Sequence, residues 1–447
     1  MSFPDVAILL GYFPLILLIS WIFSSLRYGE EVALKYFMPG ITLKLLGGIA
    51  FCLIYKFYYG GGDTFGYYKD SVVLTETLWS DPAIGWEILN STSSSFNVKF
   101  AAITDEMSFA RGKSTFWVIK VATIFNFFSF NNFFGTALLF SSFAFLGMWS
   151  LFRVFVKLFP NAEVEAALSC FWVPSVVFWG SGIMKDSLVI GALGLAIYGF
   201  YNLLILRKNH LSSLFLLWLG CFVILKIKFY VLLALLPMFT IWLLTHYHRY
   251  VKDVRLKFAS WILGLAFGVL FFYFYLPTLK IMLSSAAEDL LFTAAGFYNW
   301  HTYLGDEGLT GGGSLYSLGE MTYTPLGILK KVPAAINVTL FRPYLTEVSS
   351  PIVLITAFES LSYLLLTLWV VLRRGFFRVI KKFWQNPAVL AFLVFVLLFA
   401  FIVGFTSFNF GALVRYKIPC LPFLTFILLL LMTNKMTDVQ YENNSVI

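Results

Sequence analysis

The chain has 447 residues, of which 60% are hydrophobic and only 12% charged. Soluble domains run at about 45–50% apolar and about 25% charged, so the composition excludes an ordinary soluble protein and points to a polytopic membrane protein. The net charge of +9 does not indicate nucleic acid. The basic residues sit in short clusters between apolar runs, where membrane orientation requires them.

A helix needs about 20 apolar residues to cross the hydrocarbon core. On that criterion the predicted spans lie at roughly 5–24, 38–56, 132–152, 164–180, 185–206, 211–226, 228–246, 258–275, 352–372, 388–406 and 417–432. The first run, Val6 to Ser24, lacks a basic start and a small-residue cleavage site, so it reads as a retained helix. The run 115–130 is shorter and polar at its ends, and reads as a further span or an interfacial helix. The expected fold is therefore all-α: a single integral membrane domain over 1–447 with about 11 (11–13) transmembrane helices. The four cysteines, Cys52, Cys170, Cys221 and Cys420, fall within or beside these runs and read as small buried hydrophobes, neither a disulfide framework nor a metal site.

Placing Arg27 and Lys35 inside and alternating puts Arg153 with Lys157, Arg207 with Lys208, and the dense clusters at 246–257 and 373–382 on the cytoplasmic side, as the positive-inside rule asks. Two long loops, about 57–115 and 276–351, then fall on the outer face, with a cytoplasmic tail at about 433–447. Loops this long are uncommon unless functional or disordered. Both carry enough aromatic and β-branched residues to be ordered. Weakly amphipathic stretches at about 66–80 and 99–112 in the first loop read as interfacial helices.

The rest of the chain is organised around FYYGGGDTFGYYKD, residues 57–70. Gly60, Gly61 and Gly62 end the preceding helix, because glycine has the largest backbone entropy cost there. They set Asp63 at the membrane rim, with Tyr67 and Tyr68 among the aromatic residues that favour an interface. Lys69 and Asp70 follow. Other polar outcrops on the same side are Lys185 and Asp186 after the Gly180–Ser181–Gly182 break, Arg342 and Glu347 in LFRPYLTE, and Asn409, Arg415, Tyr416 and Lys417 before the last span. The glycine-rich run Gly308 to Ser314 precedes the Arg342 block. His301 is the lone outer histidine.

A carboxylate and several cations at one membrane surface suit an anionic lipid phosphate with its tail in the bilayer. Arginine binds phosphate in a bidentate way, lysine as a point charge, and a helix N-terminus adds partial positive charge. Transfer from such a carrier needs a base for the acceptor hydroxyl and cations for the departing phosphate. Each outcrop also has a purely structural reading. Asp63 can cap the following helix, and Lys185 with Asp186 can be a surface ion pair. Arg342 with Glu347 can hold its loop together, and Arg415 with Lys417 can anchor a helix end at the interface. No zinc spacing, phosphate-binding loop or dinucleotide fingerprint appears, no cofactor is evident, and a divalent metal has no ligand pattern to support it.

GGGDTFGYY after the span at 38–56, together with PSVVFWGSGIMKDS, LFRPYLTE and NFGALVRYKIPCLPF, resembles the GT-C superfamily of lipid-phosphate-sugar-dependent membrane glycosyltransferases. The resemblance implies a GT-C-like bundle with interfacial helices in the first outer loop. It also implies Asp63 as general base, and Arg342, Arg415, Lys185 and Lys417 on the donor phosphate. Tyr67, Tyr68, Asp186, Glu347, Asn409 and His301 would support them. The expected partners are a polyprenyl-phosphate-linked sugar, a saccharide, lipid or protein acceptor, and membrane lipids, with the protein in the cytoplasmic (inner) membrane and its site facing the periplasm. An arginine-based polymerase or ligase of lipid-linked polysaccharide, and a lipid or solute transporter, remain as alternatives.

Overall fold

Backbone polar groups in hydrocarbon must be satisfied within the chain, which favours helices wherever apolar runs are long. The structure, a computed structural model, describes residues 2–92, 100–248, 253, 316–319, 325–348 and 350–437, and its described elements are helical. Among the described residues, 8 helices are long and apolar enough to span a membrane, or 9 if one bent pair counts as a span. The predicted span at 258–275 and most of the loop 276–351, including His301 and the Gly308–Ser314 run, lie outside the described residues. The described residues form two compact units, one up to Leu232 and one within Leu233–Thr437.

In the first unit, α1 (Phe3–Tyr28), α2 (Met38–Leu53, prolonged by a π-helical turn at Ile54–Tyr59) and α6 (Phe133–Leu158) run alternately up and down. One end is tied by Lys56, whose Nζ lies 2.6 Å from Asp5 Oδ2, and by Asn132 Nδ2 donating to Asp5 Oδ1 at 3.2 Å. At the other end Tyr28 and Phe37 pack on Trp149, with ring centroids 5.2 and 4.7 Å away. Helix α9 (Lys185–Phe200) lies so close to α6 that a Cβ on Gly147 would stand 2.0 Å from the Gly191 carbonyl oxygen. Small residues at such crossings let helix backbones approach. Helix α10 (His210–Ile227) returns alongside α9, and α11 (Phe229–His248) follows it in the chain.

The predicted span 164–180 is two short helices instead, α7 (Glu163–Phe171) and α8 (Pro174–Trp179), then an irregular stretch to Met184, and it is not among the candidate spans. Pro174 has no N–H and disfavours helix in the residue before it, so the break falls at Trp172–Val173. The segment still climbs beside α2. Tyr36 OH donates to Glu163 Oε2 at 2.9 Å, and a Cβ on Gly47 would stand 2.4 Å from the Val177 carbonyl oxygen. Side chains take up carbonyls in α8 and in the irregular stretch after it. Lys44 Nζ donates to Val176 O at 2.7 Å, Ser187 Oγ to Gly182 O at 2.7 Å, Ser141 Oγ to Ser181 O, and Ser181 Oγ to Val177 O.

Between α2 and α6 the chain folds into α3 (Asp63–Ser80), α4 (Pro82–Asn90) and α5 (Lys113–Ser129). The amphipathic stretch about 66–80 is thus helical as expected, and its buried face is largely polar: Thr64, Tyr67, Asp70, Ser71, Leu74 and Thr75. That face meets α5, where Asn126 Nδ2 donates to Ser71 Oγ at 2.9 Å and Thr123 Oγ1 to Ser71 O at 3.4 Å. The 115–130 run is this 17-residue helix, and it falls outside the candidate spans.

The second unit contains α12 (Pro325–Phe341), α13 (Pro351–Arg374), α14 (Phe376–Gln385), α15 (Pro387–Thr406), α16 (Phe410–Tyr416) and α17 (Leu421–Thr433). Phe392, Phe395 and Phe399 of α15 are fully buried, and Trp242 packs edge-on against Phe392 at 5.2 Å. Thr339 Oγ1 donates to Ala400 O at 2.7 Å, pinning α12 to α15. The predicted last span, 417–432, is part of a helix pair, α16 with α17, bent by 68°.

Candidate functional site

The glycine turn is built as its composition demands. Gly60 takes a left-handed φ of 65° at the end of the π-helical turn. Gly62 sits at φ 111°, ψ −177°, a region open essentially to glycine alone. Asp63 is the first residue of α3, where the partial positive charge of the helix N-terminus favours a carboxylate.

Asp63 lines an open cleft of about 350 Å³ with Gly61, Gly62, Lys69, Asp70 and Glu106. Asp63 is half-buried, while Lys69 and Glu106 are exposed. The wall opposite α3 is held by Asp70, whose Oδ2 accepts from the backbone N–H groups of Phe109 at 2.7 Å and Ala110 at 2.9 Å. Burial pushes the Asp70 carboxyl above its ordinary value, against the pull of those two donors. Phe109 lies over Gly66 so closely that a Cβ there would stand 2.3 Å from the ring. Asp70 and Gly66 shape the cleft, and Asp63 is the carboxylate it presents at a helix start.

A few residues beyond Phe109, α5 begins within a group of lysines. Lys185 Nζ donates to Ser114 Oγ at 2.8 Å. Lys120 and Lys226 both lie against the Trp117 ring, at 4.7 and 5.4 Å from its centroid, and Lys120 Nζ donates to Ser91 O at 2.8 Å. Asp186, 1% exposed, pairs with Lys228, 6% exposed. Lys113 stands exposed at the start of α5. Carried on α5, α9, α10 and the turn after α10, this set has an excess of positive charge, and Asp186 is bound up with Lys228.

The remaining predicted residues are in the second unit or in packing roles. Arg342 Nε donates to Glu347 Oε2 at 3.0 Å, and its Nη2 pairs with Oε1. The rings of Phe410, Tyr344 and Tyr316 face its guanidinium at 5.1, 5.6 and 5.8 Å. Partial burial would raise the Glu347 carboxyl, but the Arg342 guanidinium and the Tyr344 N–H hold it below its ordinary value. Lys417 is fully buried, donating to Ser360 Oγ at 2.7 Å and to Arg342 O at 3.3 Å. Asn409 caps α16 by accepting from Ala412 N at 3.2 Å, and Arg415 lies half-buried with its guanidinium 5.8 Å from the Tyr416 ring. In the first unit Tyr67 is buried edge-on to Phe109, and Tyr68 OH donates to Asn131 O. Both tyrosines pack α3 and neither lines the cleft.

Lys44, Lys120 and Glu106 were not among the predicted residues. The first two were detectable, because a lysine inside an apolar run is costly and marks a specific partner. Glu106 carried no such signal. Among the described residues no group of three or more His, Cys, Asp or Glu is placed to hold a metal ion. Comparison with protein-family models, curated proteins and solved structures finds no match to this chain.

Proposed function

We propose that the protein is a membrane glycosyltransferase that moves a sugar from a polyprenyl-phosphate carrier to an acceptor hydroxyl, with Asp63 as general base. One observation carries this reading: an open cleft presents Asp63 at a helix start in the same unit as the lysine group around Trp117. The Asp63 carboxylate takes the acceptor O–H proton while that oxygen attacks the anomeric carbon. The bond from that carbon to the phosphate oxygen breaks with inversion, and polyprenyl phosphate leaves with the electron pair. Lys185, with Lys120 and Lys226, supplies the positive charge that a leaving phosphate requires. The reading places phosphate binding on the lysines of the unit that holds Asp63, where the sequence pointed also to Arg342, Arg415 and Lys417. The site faces the periplasm if the basic clusters orient the chain as the positive-inside rule asks.

The test is sugar transfer by purified protein in detergent, from a polyprenyl-phosphate sugar to a soluble acceptor. Native protein should release polyprenyl phosphate and an inverted product, and Lys185→Met should raise the donor KM. An Asp63→Asn protein that stays folded and keeps full transfer would remove Asp63 from the reaction. A polymerase or ligase working through Arg342 would first have to draw that guanidinium away from Glu347. A transporter is favoured by a different observation, the broken helix pair α7–α8 beside buried Lys44, since transporters build sites from broken helices. Transfer in detergent, with no compartment to cross, separates it from the enzyme.

A further inference from the structure

Helix α14 joins α13 to α15, both candidate spans, so it lies at a membrane surface. Its sequence, FFRVIKKFWQ, divides into three arcs when successive residues are turned by about 100°. Val379 and Phe383 form the first; Val379 is buried and Phe383 half-buried against the rest of the unit. Phe376, Phe377, Ile380 and Trp384 form the second, and all are exposed, Phe377 at 84% and Trp384 at 72%. Arg378, Lys381, Lys382 and Gln385 form the third. No acidic residue occurs from Arg373 to Asn386.

The cations are split between two tasks. Arg374 donates through Nε to Leu431 O at 3.1 Å and through Nη2 to Met432 O at 2.7 Å, and Lys382 Nζ donates to Asn434 Oδ1. Arg374 satisfies carbonyls at the end of α17, and Lys382 holds the side chain of the residue that caps it, where a helix favours positive charge. Arg373, Arg378 and Lys381 stay exposed, and Lys381 borders the apolar arc on the side of Phe377.

We infer that α14 is an in-plane anchor that binds anionic phospholipid, with Phe376, Phe377, Ile380 and Trp384 among the upper acyl chains and Arg373, Arg378 and Lys381 on the headgroup phosphates. An apolar arc wider than the protein contact needs, bordered by cations only, is complementary to an anionic lipid surface and to little else beside two membrane spans. The inference is independent of sugar transfer.

The test uses the full chain in phosphatidylcholine bilayers carrying a small fraction of brominated lipid. The emission of Trp384 is isolated as the difference from a Trp384→Phe protein. Brominated phosphatidylglycerol should quench that emission more than brominated phosphatidylcholine at equal mole fraction, reflecting local enrichment on the order of fivefold per cation. Arg373→Gln, Arg378→Gln and Lys381→Gln together should abolish the preference and leave quenching by phosphatidylcholine in place. Equal quenching by the two lipids in the native protein would overturn the headgroup assignment. No quenching by either would mean that the aromatic arc is covered by something other than lipid.

Discussion

The most conspicuous charges of the two units are held differently. In the second, Arg342 is held by Glu347, ringed by three aromatic side chains and linked through its carbonyl to buried Lys417, a closed arrangement that ties the loop after α12 to α13 and α16. In the first, Asp63 stands half-buried in an open cleft, and the lysines around Trp117 outnumber the acid that accompanies them. The contrast teaches how to weigh a conspicuous ionisable residue near a membrane. A charge with its own counter-ion, hydrogen-bonded and boxed by rings, holds a fold. A charge that lines an open cleft stands where a substrate can reach it.

The comparison can be broken at its most buried point first. Asp186→Ala leaves Lys228 buried without its carboxylate, and should lower stability by about 3–5 kcal/mol. Thermal unfolding in detergent checks this, and a double variant with Lys228→Met should recover much of the loss. Next is the Arg342–Glu347 pair. Arg342→Gln should cost about 1.5–3 kcal/mol, the range for a hydrogen bond to a charged group. Glu347→Gln should cost a similar amount, and the two together less than their sum; additive losses would show that the pair does not act as a unit.

A smaller effect is expected at the turn that aims Asp63. Gly62→Ala forces a side chain onto φ 111° and should cost about 1–3 kcal/mol, with transfer lost more steeply than stability. Unchanged unfolding and activity would mean that the turn relaxes freely. The smallest effect is in pH. The folded Glu347 carboxyl lies below its ordinary value of 4.5, so its contribution is fully present above that value and fades as pH falls through the lower folded value. Below pH 4.5 native protein should therefore lose part of its margin over Glu347→Gln, and a margin that grows on acidification would contradict the pairing.

Much of the architecture was legible from hydropathy, because apolar runs near 20 residues long have few alternatives to a membrane helix. The break at 172–173 was less so. Pro174 and the Gly180–Gly182 run gave warning, but the partners of the carbonyls at the end of α8 and after it, Lys44 and Ser141, come from helices far away in the chain. The polar face of α3 was hidden for a related reason. Ser71, Thr75 and Asp70 look like solvated positions until Asn126 and the Phe109–Ala110 backbone are seen against them. At the site, the glycine turn announced itself through residue types that only special backbone angles require. The pairing of Arg342 with Glu347 was an open reading of the sequence, since spacing alone does not say whether a cation faces an acid on its own loop or a substrate.

The central claim is that the reacting carboxylate is in the first unit and that the arginine arrangement of the second is structural. Turnover per folded molecule, measured side by side for Asp63→Asn and Arg342→Gln with a polyprenyl-phosphate sugar, tests it most directly. Asp63→Asn should lose about 10²–10⁴-fold in turnover of the folded protein. Arg342→Gln should show a lowered melting temperature with turnover of the folded fraction nearly intact. The reverse pattern, transfer surviving without the Asp63 carboxylate and vanishing without the Arg342 guanidinium, would contradict it.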